Sequence, residues 1–294
     1  MLAGIAMEYK KPVVELIRSR TSVRDYNKEA IPTAVRAELE SACSSLVRGP
    51  LGTSCRFLLV ESSRAGVGPA AAIGTYGMIR GARTYLTGAA RRGPADQEDY
   101  GFLFEQLLLK AADLGLATCW LGGTFTRGGF AAAAGLAADE AMPAVSPVGL
   151  APGRRSIWDG AVRTLAGSRR RKPWAELFFD GGFATPLPRE SAGPYREALE
   201  MVQLAPSASN RQPWRLLRRD DAFHFYLRRT PGYGRVAGND LQRLDIGIAM
   251  AHFQLTLAES GVRGGWGRRA PALEPPPNTE YIVSWARASG QSTG

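Results

Sequence analysis

The chain has 294 residues, 45% of them hydrophobic and 22% charged. That composition is too apolar for a disordered chain, and the length is too great for a disulfide-stapled mini-protein. The net charge of +10 excludes less: only five of the 37 basic residues are lysine, and an arginine excess in an alanine- and glycine-rich chain fits a biased codon pool as well as an anionic partner. No run approaches the 18 or so apolar residues of a membrane span, and Met1–Lys11 carries no cleavage-site pattern. Cys43, Cys55 and Cys119 are an odd set without a C-x-x-C pair. Reduced thiols, a cytoplasmic location, no membrane association and no structural zinc are therefore expected.

In chain order, an amphipathic helix around Arg36–Glu40 leads through a Gly49-Pro50 turn to a strand, Phe57–Val60. A long apolar helix, Phe102–Leu114, stops at Gly115, where a left-handed cap is expected. The sequence then repeats itself. A helix around Arg196–Glu200 leads through Ala205-Pro206 to a strand at Trp214–Leu217, and a second apolar helix, Ile248–Ser260, stops at Gly261. Asp99 and Asp245, Gly101 and Gly247, Gly115 and Gly261, and Trp120 and Trp266 are each 146 positions apart. Tryptophan is scarce here, so the last pair carries the most weight. Two related α+β halves, 1–165 and 166–294, follow, with the arginine-rich Ser168–Lys172 near their join and an irregular proline-rich tail at Pro271–Asn278.

Two segments carry chemistry, and each occurs in one half only. Arg20-Thr21-Ser22-Val23-Arg24-Asp25-Tyr26 offers two guanidinium groups and a hydroxyl, the parts of a phosphate cradle, or else a solvated basic face. Ala205-Pro206-Ser207-Ala208-Ser209-Asn210-Arg211-Gln212-Pro213-Trp214 fixes several donors and acceptors between prolines. Such a rim suits a planar heterocycle, or else caps its own turn. The first half's counterpart, Gly49–Cys55, lacks Asn and Gln.

Together, R-x-S-x-R-x-Tyr and Pro-Ser-x-x-Asn-x-Gln-Pro-Trp resemble the FMN-dependent nitroreductase family. Leu114–Gly123 is similar to that family's central-helix exit and Ser168–Trp174 to its basic phosphate clamp, so most of the chain is covered. The resemblance implies an α+β nitroreductase-like fold, helices flanking mixed and antiparallel sheets, with two tandem repeats forming an intrachain pseudo-dimer. It implies FMN as cofactor, with Arg20 and Ser22 near the ribityl phosphate and Arg24 toward the pyrimidine side of the ring. Arg169 and Arg171 would complete the clamp, and the backbone of Leu121, Gly122 and Gly123 would lie at the flavin N5 edge. Pro206, Ser207, Ala208 and Asn210 would close the far side. The motifs are divided between the halves, which implies one intact and one degenerate flavin site, and leaves further homo-oligomerisation open. The implied activity is NAD(P)H-dependent reduction of nitroaromatic or quinone-like small molecules. A non-catalytic module and an FMN-dependent oxidase of a biosynthetic intermediate are the alternatives.

Other features point elsewhere less strongly. His224 and His252 sit in apolar surroundings and read as core or strand-face residues. Gly232-Tyr233-Gly234 with Gly238 has the wrong spacing for a dinucleotide loop. Arg215–Arg229 interleaves arginines and aromatics, which fits a solvated hairpin better than a nucleic-acid surface.

Overall fold

A computed structural model describes residues 7–63, 78–153 and 170–288. In chain order the elements are α1 Val13–Ser19, α2 Thr33–Ser45, β1 Cys55–Glu61, β2 Thr84–Arg91, α3 Asp96–Asp113, β3 Ala117–Thr118, α4 Arg127–Ala133, β4 Glu140–Ala141 and β5 Val145–Gly149. They continue with α5 Trp174–Leu177, β6 Phe178–Asp180, β7 Gly182–Pro186, α6 Arg196–Leu204, β8 Trp214–Arg219, β9 Ala222–Arg228, β10 Arg235–Val236, β11 Asn239–Asp240, α7 Leu241–Glu259, β12 Gly264–Gly267 and β13 Thr279–Arg287. Among the described residues no helix is long and apolar enough to cross a membrane.

The architecture is α+β. One sheet has the order β1-β2-β5-β3, with β4 beside β2; the other has the order β12-β13-β9-β8-β6-β7. Within each lies a four-stranded antiparallel core laid down identically: two neighbouring strands, a long helix, then two strands that pair with each other and return to the second (β1, β2, α3, β3, β5; β8, β9, α7, β12, β13). The second sheet adds β6, parallel to β8, and β7 at its edge.

Helices α3 and α7 are buried along most of their length and pack on each other. Their crossing is at Gly101 and Gly247. A Cβ on Gly101 would lie 2.3 Å from the Leu244 carbonyl oxygen, and one on Gly247 would lie 2.1 Å from that of Glu98. Only glycine permits that backbone approach. Both helices end as the sequence predicts, at Gly115 (φ 78°) and Gly261 (φ 75°). They start six and seven residues before the apolar runs: the whole polar first turn of α3 is buried, and so are Leu241, Gln242 and Leu244 in that of α7.

One core spans both sheets, joining Leu39, Phe57, Tyr100 and Phe104 to Phe178, Trp214, Phe225 and Phe253. The helix ends are tied across it. Pro12 precedes α1 and caps nothing with its side chain, so Glu259 at the end of α7 takes the N–H groups of Val13 (2.7 Å) and Val14 (3.3 Å). Asp113 does the same for Lys10 (2.8 Å) and Lys11 (3.1 Å). The β8–β9 hairpin turns at Asp220 and Asp221 (φ 49° and 57°), but Arg215 is not on a solvated face. It is buried and donates to the Gln212 and Trp214 carbonyls. The three thiols are buried, and burial pushes the Cys43 thiol up to about 12.

Helix propensity alone favours alanine over glycine inside a helix by about 1 kcal/mol. At the crossing, clashes with backbone outweigh it: Gly101→Ala and Gly247→Ala should each destabilise the chain by roughly 1–3 kcal/mol in chemical denaturation. Gly128→Ala in α4, with nothing within 4 Å of the added carbon, should be neutral or slightly stabilising.

Candidate functional site

The Arg20–Tyr26 segment begins where α1 stops. The Arg20 N–H closes the helix on the Leu16 carbonyl (2.8 Å), and the backbone then extends. Ser22 forms a parallel bridge with Thr118, and the Val23 N–H donates to the Thr118 carbonyl (2.9 Å). The Arg24 carbonyl accepts from Arg80 N–H (2.8 Å), and the buried Tyr26 hydroxyl reaches back to the Val23 carbonyl (2.7 Å). The motif is thus pinned alongside β3, whose continuation is Trp120-Leu121-Gly122-Gly123.

That continuation narrows the expected backbone contact. Leu121 is buried, and both its N–H and its C=O pair with Val145 (2.9 and 3.0 Å), so it has no N–H to offer. The N–H groups of Gly122 and Gly123 have no hydrogen-bond partner among the described residues. Gly122 is glycine for a packing reason: a Cβ there would stand 2.7 Å from Leu241 at the start of α7. Gly123 faces Val236 as well as Leu241.

The Pro206–Trp214 turn is built from internal hydrogen bonds. Asn210 N–H donates to the Ser207 carbonyl and Gln212 N–H to Ser207 Oγ, both at 2.9 Å. Ser209, Asn210 and Gln212 all hold positive φ (47°, 53° and 48°). Asp245 of α7 accepts from Ala208 N–H (3.0 Å), as Asp99 of α3 accepts from Leu51 and Thr53 (2.8 Å each). The two aspartates are one of the 146-spaced pairs. Asp245 is buried and its Oδ2 has no partner among the described residues, so burial pushes its carboxyl well above the usual carboxylate range.

The turn also grips the arginine-rich segment. Arg171 donates to Asn210 Oδ1 (2.8 Å) and to the Leu204 carbonyl (2.9 Å), while Asn210 Nδ2 and Gln212 Nε2 reach the Arg170 carbonyl (2.8 and 3.1 Å). Asn210 therefore works as a brace between two predicted segments. Burial, then the charge of Arg20, disfavours the cationic form of Arg171, which brings Arg20, Arg171 and Asn210 into one neighbourhood. Arg169 lies outside the described residues.

Below this neighbourhood is a charged cluster in the core. The side chain of Arg20 is 7% exposed and that of Glu105 wholly buried, with Nε 3.4 Å from Oε1. The same Oε1 faces His252 Nε2 at 3.0 Å, and Oε2 accepts from Trp120 Nε1 (2.6 Å). His252 Nδ1 faces the Met201 carbonyl at 2.8 Å, so both ring nitrogens meet polar oxygens. Burial pushes the Glu105 carboxyl up, but Arg20, His252 and the Trp120 N–H outweigh it and hold it below its ordinary value. Arg20 Nη1 is buried with no hydrogen-bond partner among the described residues. Among the described residues, no group of three or more His, Cys, Asp or Glu side chains could hold a metal.

Residues 12–257 match the family described as "Putative TM nitroreductase". The chain belongs to this nitroreductase family. In fold it is similar to the crystal structure of a putative nitroreductase from Thermotoga maritima, with a TM-score of 0.61 and 21% identity over 95% of both chains. Shorter nitroreductases each cover 50% of this chain: one in complex with FMN from Desulfovibrio desulfuricans (24% identity, 94% of that chain, TM-score 0.38) and one with bound FMN from Bacteroides fragilis (18%, 92%, 0.38). No curated protein matches the sequence.

From the sequence, Glu105 carried no assigned role, Asp245 stood only as one of the 146-spaced pairs, and His252 read as a core residue. A carboxylate in the middle of the apolar run Phe102–Leu109 was the available signal for Glu105, since a buried charge needs partners. Removing it strands Arg20 and His252: Glu105→Ala should cost about 3–5 kcal/mol of stability near neutral pH. The contribution of Glu105 should fade as pH falls through its lowered value, because the ionised form is the one the fold holds. Asp245 has the opposite sign. Its folded value is raised, so its stability is complete below the ordinary 3.8 and erodes as pH rises. Asp245→Asn keeps an acceptor for Ala208 and removes the buried charge. In denaturant melts it should stabilise by about 1 kcal/mol or more at pH 8 and by little at pH 4.

Proposed function

We propose that this nitroreductase-family chain is an FMN-dependent NAD(P)H oxidoreductase acting on electron-poor small molecules, nitroaromatic or quinone-like. We further propose that residues 1–165 and 166–294 form a fused pseudo-dimer with one flavin site between them. The observation that carries the reading is Arg20, buried with Nη1 unsatisfied, beside Arg171, whose charged form is disfavoured by burial and by Arg20. A phosphate there would complete the first and relieve the second, so the residues present fit the group.

In this reading Arg20, Ser22, Arg169 and Arg171 hold the phosphate, and Glu105 with His252 keeps Arg20 in place. Gly122 and Gly123, rather than Leu121, offer backbone N–H groups at the N5 edge. Arg24 lies toward the pyrimidine, and Pro206, Ser207, Ala208 and Asn210 close the far side on a turn that Asp245 and Gln212 make rigid. The chemistry that bound FMN supplies is two-electron transfer between a reduced nicotinamide and an acceptor. The protein's own part is to bind, orient and screen from water, and no side chain is required as a general acid.

The purified chain should take up FMN, seen as a visible absorbance that saturates on titration. Arg20→Ala should weaken that uptake about tenfold or more. NADPH or NADH should bleach the band without oxygen. No uptake would overturn the cofactor assignment, and uptake without bleaching by either nucleotide would overturn the reductase.

A further inference from the structure

A cavity of about 790 Å³ opens at the N-terminal ends of α3 and α7. Four arginines line it, Arg229, Arg235, Arg243 and Arg268, with Asp96, Asp240 and Glu280. None of Arg20, Arg171 and Asn210 does.

The arginines divide into two kinds. Arg229 is neutralised by Asp240, 2.6 Å from its Nη1, and by Glu280 (2.6 Å from Nε), and Arg243 by Glu98 (2.6 Å). Asp240 is spent twice over, since its Oδ1 also caps α7 through the N–H groups of Gln242 and Arg243 (3.1 and 3.2 Å). The Arg235 side chain makes no ion pair or hydrogen bond among the described residues, and that of Arg268 makes only a 3.4 Å contact to the Pro94 carbonyl. Both are exposed at the rim. Asp96 is the lining carboxylate without an arginine partner, and it makes a 3.4 Å contact to Gly93 N–H.

Two buried amides complete the wall. Gln97 is 5% exposed and Asn239 is 4% exposed, and the amide oxygen of each has no hydrogen-bond partner among the described residues. An unsatisfied buried acceptor in a cavity wall calls for a donor. The cavity thus pairs two unneutralised guanidinium groups with unused acceptors, in a space much larger than an inorganic anion. Tyr281 adds an aromatic wall. The internal repeat adds a separate observation: Arg268 stands 146 positions after Gly122, so the second half carries a cation where the first carries a glycine.

We propose that this cavity binds a nucleoside phosphate, its phosphate on Arg235 and Arg268 and its amino and hydroxyl donors matched to Asn239, Gln97 and Asp96. The proposal does not depend on the flavin assignment. Calorimetric titration of the full chain with ADP, at low salt, should give one saturable site per chain. Its affinity should be the same with and without saturating FMN and should fall as salt is raised. Arg235→Ala/Arg268→Ala, at exposed positions, should weaken ADP about tenfold or more with an unchanged melting temperature. Arg235→Lys/Arg268→Lys, which keeps the charge and loses the planar fork, should fall between. Inorganic phosphate should bind at least tenfold more weakly than ADP.

Absence of ADP binding, displacement of ADP by FMN, or an alanine variant that binds like the parent chain would each overturn the assignment. Inorganic phosphate binding as tightly as ADP would also overturn it, because only a bare anion would be read. FMN uptake, followed separately by absorbance, keeps this result apart from the fate of the flavin reading.

Discussion

The contact between Gly101 and Gly247 sets the spacing on which the rest of the molecule depends. Two helices that touch backbone to backbone bring their first turns into one layer, which is why Glu98 of α3 can reach Arg243 of α7 and why Gly122 can lie against Leu241. A larger side chain at either glycine would separate the sheets that α3 and α7 carry. Every pairing between the halves would then lengthen together, since packed interiors transmit strain rather than absorb it.

The same closeness explains how a carboxylate survives in the middle of α3. Glu105 is tolerable because Arg20, Trp120 and His252 arrive from three other places in the chain to satisfy it. Desolvation by itself would favour the protonated acid, and the partners reverse that preference. The cluster links the end of α1, the exit from β3 and the body of α7. The position of the Arg20 guanidinium is therefore fixed by the core, while its Nη1 is left unsatisfied. A rigid cation with spare hydrogen-bonding capacity is what recognition of a phosphate requires.

Much of this was legible in sequence where the signal is local. The apolar runs located α3 and α7, the glycines after them marked their ends, and the 146-residue spacing picked out Gly101 with Gly247 and Asp99 with Asp245 before any contact was known. The family followed from two motifs, and the matched residues 12–257 agree with it. What could not be read depends on tertiary context. The polar first turn of α3, Asp96–Tyr100, gives no apolar period, yet it is buried against the other half. Leu121 looked like a contact residue because its motif does. Only pairing with Val145, fixed by the sheet, shows its amide to be used. Asn210, expected at the rim of the flavin, also braces Arg170 and Arg171, an interaction between segments about 40 residues apart in sequence.

The two halves keep one scaffolding device and differ in what they do with it. In the first, Asp99 takes two backbone N–H groups from a turn whose positive φ falls on Gly52 (100°), so nothing is strained and its carboxylate is well bonded. In the second, Asp245 takes one, keeps an unpaired oxygen, and supports a turn in which Ser209, Asn210 and Gln212 hold left-handed backbone. Each such residue costs on the order of 1 kcal/mol or more, and persists only where its surroundings over-determine it. Here the surroundings are Arg171, the Arg170 carbonyl and α7 itself. The second half's turn thus holds left-handed backbone at three non-glycine residues where the first half's turn uses Gly52. That is also the half whose turn carries the Pro-Ser-x-x-Asn-x-Gln-Pro-Trp motif, so the left-handed positions Ser209, Asn210 and Gln212 fall inside the nine residues that the motif spans.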